Sequence, residues 1–264
     1  MNVSIHPSAA VDPAAKLGEG VVIGPFCVVG PDVQLGDRVR LTSHVVVEGR
    51  TKVGEDTVIY PFASIGHRPQ DLKFKGEPSE LIIGRRNQIR EHVTMSPGTE
   101  GGGMVTRVGD NGLFMVGVHV AHDCVVGNNA VLANNATLAG HVELGDFVTI
   151  GGLSAVHQFV RIGSHAMIGG MSGVEKDVIP YGLVMGERAR LAGLNLVGLE
   201  RRGFQKDDIH ALRAAYRLLF GAEGTFAERM EEVGRDFGEK SLVSDVLDFI
   251  RSRASRSLCQ PREG

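Results

Sequence analysis

Aliphatic residues return along this chain at every sixth position, from Ile5 through Val11, Leu17, Ile23, Val29, Leu35, Leu41, Val47, Val53 and Ile59 to Ile65 without a miss. After an interruption the pattern resumes at Ile83, Ile89 and Met95. It then runs from Val108 through Phe114, Val120, Val126, Leu132, Leu138, Leu144, Ile150, Val156, Ile162 and Ile168 to Val174. Neither a helix nor a heptad gives that spacing, and a fixed short period is the signature of a stacked repeat. The next position is often glycine, as at Gly18, Gly24, Gly30, Gly127, Gly145 and Gly163, where a bend can need a residue without Cβ. Each six-residue unit is therefore predicted to be a short strand plus a turn. Three units close a triangle, so one coil takes 18 residues.

Inward aliphatics then stack coil upon coil with strands about 4.8 Å apart, and about ten coils make a prism roughly 50 Å long. The repeat resembles the hexapeptide-repeat left-handed β-helix, an exception to right-handed parallel crossovers. The expected class is an all-β left-handed parallel β-helix over residues 1–186, with a C-terminal α-helical domain over 187–264. Two polar, glycine-bearing stretches near 66–82 and 99–107 break the period. A solenoid accommodates such insertions as extruded loops, which often carry function. From about 195 onward the spacing turns helical, as in Ile209, Leu212, Tyr216 and Leu219, and again in Leu242, Val246, Phe249 and Ile250.

Charge changes the picture little: 28 basic against 31 acidic residues give −3, with no positive field that argues for nucleic acid or a membrane surface. Half of all Lys and Arg, 14 of 28, follow Gly186, but 13 acidic residues there nearly cancel them. The three cysteines, Cys27, Cys124 and Cys259, are odd in number and form no metal-type pair. They fit a reducing compartment, hence the cytoplasm. No basic-apolar leader and no stretch approaching about 18 apolar residues occurs, so neither a signal nor a spanning helix is expected.

The candidate chemistry is in the second half of the repeat, where His119, His122, His141, His157 and His165 gather. Residues 18 apart should stack. Gly140 then lies one coil above His122, Gln158 one coil above that, and His141 above Asp123. A histidine whose partner carboxylate fixes its tautomer is suited to take a proton from an alcohol near neutral pH. His122 with Asp123 is that candidate, and the Gly140 amide could stabilise an oxyanion because a glycine lets substrate approach closely. Outward histidines on a solenoid can also be merely solvated. His119, His122 and His141 further leave open a zinc site of the kind that γ-type carbonic anhydrases hold between β-helical subunits.

The segments HVAHDC at 119–124, LANNATLAGHVELGDF at 132–147 and GGLSAVHQF at 151–159 carry a more specific resemblance. With QDLK at 70–73 and GLERRGF at 198–204, they are similar to the motifs of the acyl-carrier-protein-dependent UDP-N-acetylglucosamine O-acyltransferases of lipid A synthesis. The resemblance implies that His122 is the general base, that the Gly140 amide donates to the oxyanion, and that His119, His141, His157 and Gln158 line the substrate site. It further implies substrate contacts at Gln70, Asp71 and Lys73, a cationic pair for phosphate at Arg201 and Arg202 with Asn195 beside it, and an acyl-chain ruler at Gly170. Glycine there suggests a relatively long 3-hydroxyacyl chain. Two departures are visible: MSPGT at 95–99 lacks a basic side chain that relatives often carry, and Val197 replaces an acidic residue.

The implied reaction moves an (R)-3-hydroxyacyl chain from acyl carrier protein to the 3-hydroxyl of the GlcNAc unit of UDP-GlcNAc, with no metal and no other cofactor, in a homotrimer. An acidic carrier protein would dock on basic residues of the C-terminal helices. Competing readings are an acyltransferase that uses CoA or acts on another nucleotide sugar, the glucosamine N-acyltransferase of the same pathway, a zinc-dependent γ-type carbonic anhydrase, and a purely structural solenoid.

Overall fold

In the computed structural model, which describes residues 2–252 and 255–261, the six-residue units form a left-handed parallel β-helix. Its strands assemble into three faces of eleven, nine and eight strands. Most strands are two residues long, as at Val22–Ile23, Val28–Val29 and Gln34–Leu35 on the first, second and third faces. Such strands cannot hold together alone. Each is fixed by its neighbours one coil below and above, where Val22 pairs with Arg40 and Val131 with Thr149, 18 residues on. From the second coil onward the inward aliphatic of each unit is buried, as at Ile23, Leu41, Ile59, Leu132 and Ile150, whereas Ile5 of the first coil is exposed and Val11 and Leu17 are half-buried. The residue two places before it, such as Val21, Val39, Ala130 or Val148, is buried too. In most units two apolar side chains therefore fill a continuous core, with Thr51, Thr57, Asn87, Thr106, Ser154 and Ser172 taking the second place in others, and this core is the main source of stability in a stack of this kind.

The corners are sharp. Most are turned by a non-glycine residue in the left-handed region, such as Phe147, Phe159, His141 and Asp123 with φ near +60°. This conformation costs roughly 1–2 kcal/mol, and the backbone hydrogen bonds to the adjacent coil offset it, as where the His141 N–H donates to the His122 carbonyl at 3.0 Å. Corner side chains consequently stack in columns along the prism edges.

Both interruptions leave the same edge, between the second and third faces. The first joins Ser64–Ile65 to Glu80–Ile83 and the second joins Thr94–Met95 to Val105–Val108. Pairing partners across them are 30 residues apart at Ser64 and Thr94 and 25 apart at Thr94 and His119, twelve and seven beyond a plain coil. The hydrophobic ladder is undisturbed because the extra residues lie outside it.

At the far end, Gly182–Met185 is the last parallel strand of the first face and pairs antiparallel with Arg190–Leu194. Among the described residues four helices follow: α1 (Leu196–Arg201), α2 (Lys206–Leu219), α3 (Phe226–Phe237) and α4 (Ser241–Arg251). The helices bury Ile209, Leu212, Leu219, Val233, Leu242 and Val246 in a core continuous with that of the prism. Arg161 of the third face ties the two parts together: it binds buried Asp177 at 2.8 Å, donates to Ser252 and lies over the Phe249 ring. The chain then returns to the prism as Asp177 bridges Leu258 and Leu191 N–H donates to the Gln260 carbonyl. This covers edge groups that would otherwise be unpaired. All three cysteines are free thiols and buried. Among the described residues no helix is long and apolar enough to cross a membrane.

Candidate active site

The edge that carries both loops also carries the clustered histidines. His119 projects from the second face on His119–Val120, and His122 and Asp123 form the following turn. One coil up come Gly140 and His141, and above them Gln158 and Phe159. The His141 ring stands edge-on to His122, with centroids 5.1 Å apart, and stacks on Phe159 at 4.4 Å.

Asp123 organises the cluster. Its side chain is fully buried, a costly place for a carboxylate unless hydrogen bonds surround it. The Thr99 N–H donates to Oδ1 at 2.8 Å, the Thr99 hydroxyl to Oδ2 at 2.6 Å, and the His122 ring meets Oδ2 through Nδ1 at 2.8 Å. The Asp123 N–H donates to the Thr106 hydroxyl at 2.8 Å. The second loop is thus folded over the carboxylate, and it passes so close that a Cβ on Gly102 would lie 2.0 Å from Asp123 Cγ. An ionised carboxylate only accepts, so His122 Nδ1 carries the proton and Nε2 presents a lone pair. That is the tautomer a general base needs.

Gly140 closes on the same ring. A Cβ there would come within 2.5 Å of His122 Cε1 and 2.7 Å of Nε2, so only glycine fits. Among the described residues its N–H makes no hydrogen bond, whereas its carbonyl accepts from Phe159 N–H at 3.2 Å. A free backbone donor beside a bare imidazole nitrogen is an arrangement suited to acyl transfer.

The other histidines differ in their surroundings. His119 meets the Thr94 hydroxyl through Nδ1 at 2.7 Å, and burial, with the nearby His122, pushes its ring below the ordinary imidazole value. Burial lowers His141 as well, partly opposed by the Asp123 carboxylate, and the weaker fields of Asp71 and Lys73 also reach it. The first loop therefore lies near the cluster. There Gln70 and Lys73 are exposed, Asp71 accepts from Lys73 N–H at 3.0 Å, and buried Phe74 anchors the loop beneath Arg68. His157 and Gln158 are exposed, and Arg256 holds both.

Three predicted groups lie elsewhere on the prism. Asn195 caps α1 by accepting from Gly198 N–H at 3.1 Å and donates to the His165 carbonyl. Arg201 and Arg202 end α1 beside the first face, in a groove with Thr149, Met167 and Leu183. Arg202 also reaches the Phe147 carbonyl at 3.3 Å. Gly170 is exposed on the edge between the first and second faces, and an added Cβ there would make only ordinary contact, with the Gly152 carbonyl 3.4 Å away. Within one chain these residues are not brought to His122.

His165 sits on the third edge, stacked between Phe147 and Tyr181 with Phe204 edge-on. Its Nδ1 is buried without a partner, and burial, aided by Arg202, holds its proton affinity below the ordinary 6.5. The folded state then binds fewer protons than the unfolded chain once the pH drops below that value, so stability is lost on acidification. His165→Phe is expected to flatten the fall in the urea midpoint between about pH 7 and pH 5, leaving the shares of His119 and His141. An unchanged slope would remove His165 from this role.

Asp123, His122 and His141 bring one ligand atom each within 4.8 Å, the minimum for a metal site. Asp123 is already engaged, because its two oxygens accept from Thr99 and Oδ2 also binds His122. A metal held there would compete with these bonds, whereas a general base uses them. The residues that sequence reasoning missed are Thr99, Gly102, Thr106 and Arg256, and the polar, glycine-rich stretch at 99–107 was the sole signal for the first three.

Comparison with known proteins agrees with the fold. The model of domain 2 of UDP-N-acetylglucosamine O-acyltransferases matches residues 177–259, and the bacterial transferase hexapeptide model matches 14–49. The chain is 58% identical to the acyl-[acyl-carrier-protein]–UDP-N-acetylglucosamine O-acyltransferase of Caulobacter vibrioides, over 98% of each chain. It superposes on the crystal structure of a UDP-N-acetylglucosamine acyltransferase with TM-score 0.94 and 45% identity, over 98% of this chain and 100% of that one. The UDP-N-acetylglucosamine O-acyltransferase of Moraxella catarrhalis gives TM-score 0.93 and 43% identity, over 98% and 100%.

Proposed function

The chain belongs to the family of acyl-[acyl-carrier-protein]–UDP-N-acetylglucosamine O-acyltransferases, and from that premise we propose how its residues carry out the reaction. It is an acyltransferase that moves an acyl chain from acyl carrier protein to UDP-N-acetylglucosamine, the first step of lipid A biosynthesis. His122 Nε2 takes the proton of the sugar 3-hydroxyl as that oxygen attacks the thioester carbonyl of an (R)-3-hydroxyacyl chain. The Gly140 N–H receives the oxyanion. Collapse expels the carrier thiolate, which recovers the proton from His122, while buried Asp123 stabilises the imidazolium between the two transfers. The observation that carries this reading is the 2.8 Å contact of His122 Nδ1 with a carboxylate that is itself held by the second loop.

Gln70, Asp71, Lys73, His119, His141, His157 and Gln158 hold the sugar nucleotide and the acyl group around this centre. Arg201 and Arg202, with Asn195 nearby, meet phosphate, where guanidinium groups suit bidentate contact. Because these three and Gly170 lie away from the His122 edge of the prism, a neighbouring copy supplies them, in a homotrimer with one site between each pair of chains. Exposed Phe26, Phe62, Leu153 and Met171 line the edge that carries Gly170 and would be covered by such packing. Docking of the acidic carrier on basic residues of the C-terminal helices, in the cytoplasm, completes the reading.

Purified protein given 3-hydroxyacyl carrier-protein thioesters and UDP-N-acetylglucosamine should yield a mono-O-acylated nucleotide sugar by mass spectrometry, and acetyl-CoA should yield none. Product from acetyl-CoA alone would overturn the donor assignment. Mixing His122→Ala and Arg202→Ala chains should restore activity that neither has alone, since some interfaces then combine intact halves. No recovery in proven mixed assemblies would place the whole site within one chain.

A further inference from the structure

Arg256 lies on the returning C-terminal segment, 99 residues from His157, yet its Nη2 is 2.9 Å from His157 Nδ1. Its Nε donates to the Gln158 carbonyl at 3.1 Å. The segment just after the arginine is pinned to the prism: Asp177 N–H donates to the Ser257 carbonyl at 2.9 Å, and Cys259 N–H donates to the Asp177 carbonyl at 2.7 Å. The guanidinium therefore reaches His157 from a fixed backbone.

We infer that Arg256 is a positioning residue that selects the Nε2–H tautomer of His157 and so decides what that ring can bind. A guanidinium has donors and no acceptor. Its 2.9 Å contact is attractive only if His157 Nδ1 is bare, and a proton there would point at a cation. The Gln158 carbonyl, 3.2 Å from the same nitrogen, offers a competing acceptor that would favour the Nδ1–H form. Arg256 engages that carbonyl with its Nε and meets Nδ1 with its Nη2, so a proton on Nδ1 would have to share the carbonyl and would face a cation. His157 is left with Nε2–H as its one strong donor. It then recognises an acceptor oxygen on the substrate, whether carbonyl, hydroxyl or phosphate, and cannot serve there as a base.

The inference rests on the reading that His157 lines the substrate site, and two readouts separate its failure from that reading's. With ¹⁵N-labelled histidine, His157 is assigned by its loss in His157→Gln. Its Nδ1 should resonate as an unprotonated ring nitrogen and its Nε2 as a protonated one. Arg256→Met should move both toward the averaged positions of a free imidazole, and Arg256→Lys, which keeps a donor, should recover part of the difference. Ring shifts identical in wild type and Arg256→Met overturn the inference. In kinetics, Arg256→Met should lower kcat/KM about tenfold, the weight of a hydrogen bond to a charged group. The double variant with His157→Gln should lose no more than His157→Gln alone, and fully additive losses would mean that Arg256 does not act through His157. Moved ring shifts with wild-type kinetics keep the tautomer control and instead remove His157 from the binding site.

Discussion

His122→Ala should lower kcat about 10³- to 10⁴-fold, toward the upper part of the range for loss of a positioned general base. His122 Nδ1 is tied to a carboxylate whose side chain is fully buried, so the ring has one tautomer and one orientation. Its Nε2 lies beside a backbone N–H that is free to receive charge. No second imidazole can take over: His141 stands edge-on with Nε2 3.9 Å from Asp123, and His119 is bound to Thr94. The fold should be spared, because Asp123 keeps both bonds from Thr99 and the one from its N–H to Thr106. Steady-state kinetics and urea unfolding of the same preparation check this. Turnover near that of the wild type in a folded variant would sink the base assignment, and a collapsed urea midpoint would show that the ring's role is structural.

Much of this was legible in the sequence because a parallel β-helix converts sequence distance into spatial position. Once the coil length is 18, Gly140 must lie beside His122 and His141 above Asp123, and both relations hold in the structure. The period also announced its own interruptions. It said nothing of what the loops do, since inserted residues leave the ladder: Thr99 reaches Asp123 across 24 positions, where the local spacing between coils has stretched to 25. The C-terminal segment escapes the period altogether. Its return to Asp177, and the placing of Arg256 on His157, depend on how α2, α3 and α4 pack, and amphipathic spacing predicts which face of a helix is buried but not against what. The arginine pair proposed to meet phosphate was legible only by its resemblance, because two adjacent arginines at a helix end are ordinary surface residues until a partner surface faces them.

Gly140→Ala tests the site from its other side and should cost about 10²-fold or more in kcat, the scale of a misplacement near 1 Å at a reacting group. The substitution keeps the backbone N–H, so a glycine needed only as an oxyanion donor would tolerate it. The geometry says otherwise. The new methyl carbon would lie 2.5 Å from His122 Cε1 and 2.7 Å from Nε2, closer than nonbonded carbons approach. The backbone cannot yield easily, because the Gly140 carbonyl accepts from Phe159 and the next N–H binds the His122 carbonyl. The ring must move instead, and any swing loosens its bond to Asp123, surrendering the tautomer and aim that make Nε2 a base. The loss should appear in kcat more than in KM, since the groups proposed to hold the sugar nucleotide lie mainly away from this contact. A cycle with His122→Ala decides the cause. With the imidazole gone, the methyl enters the space it vacated, so Gly140→Ala should add little to the loss already caused by His122→Ala. Equal penalties in both backgrounds would mean that the methyl acts on the oxyanion or the substrate rather than on the base.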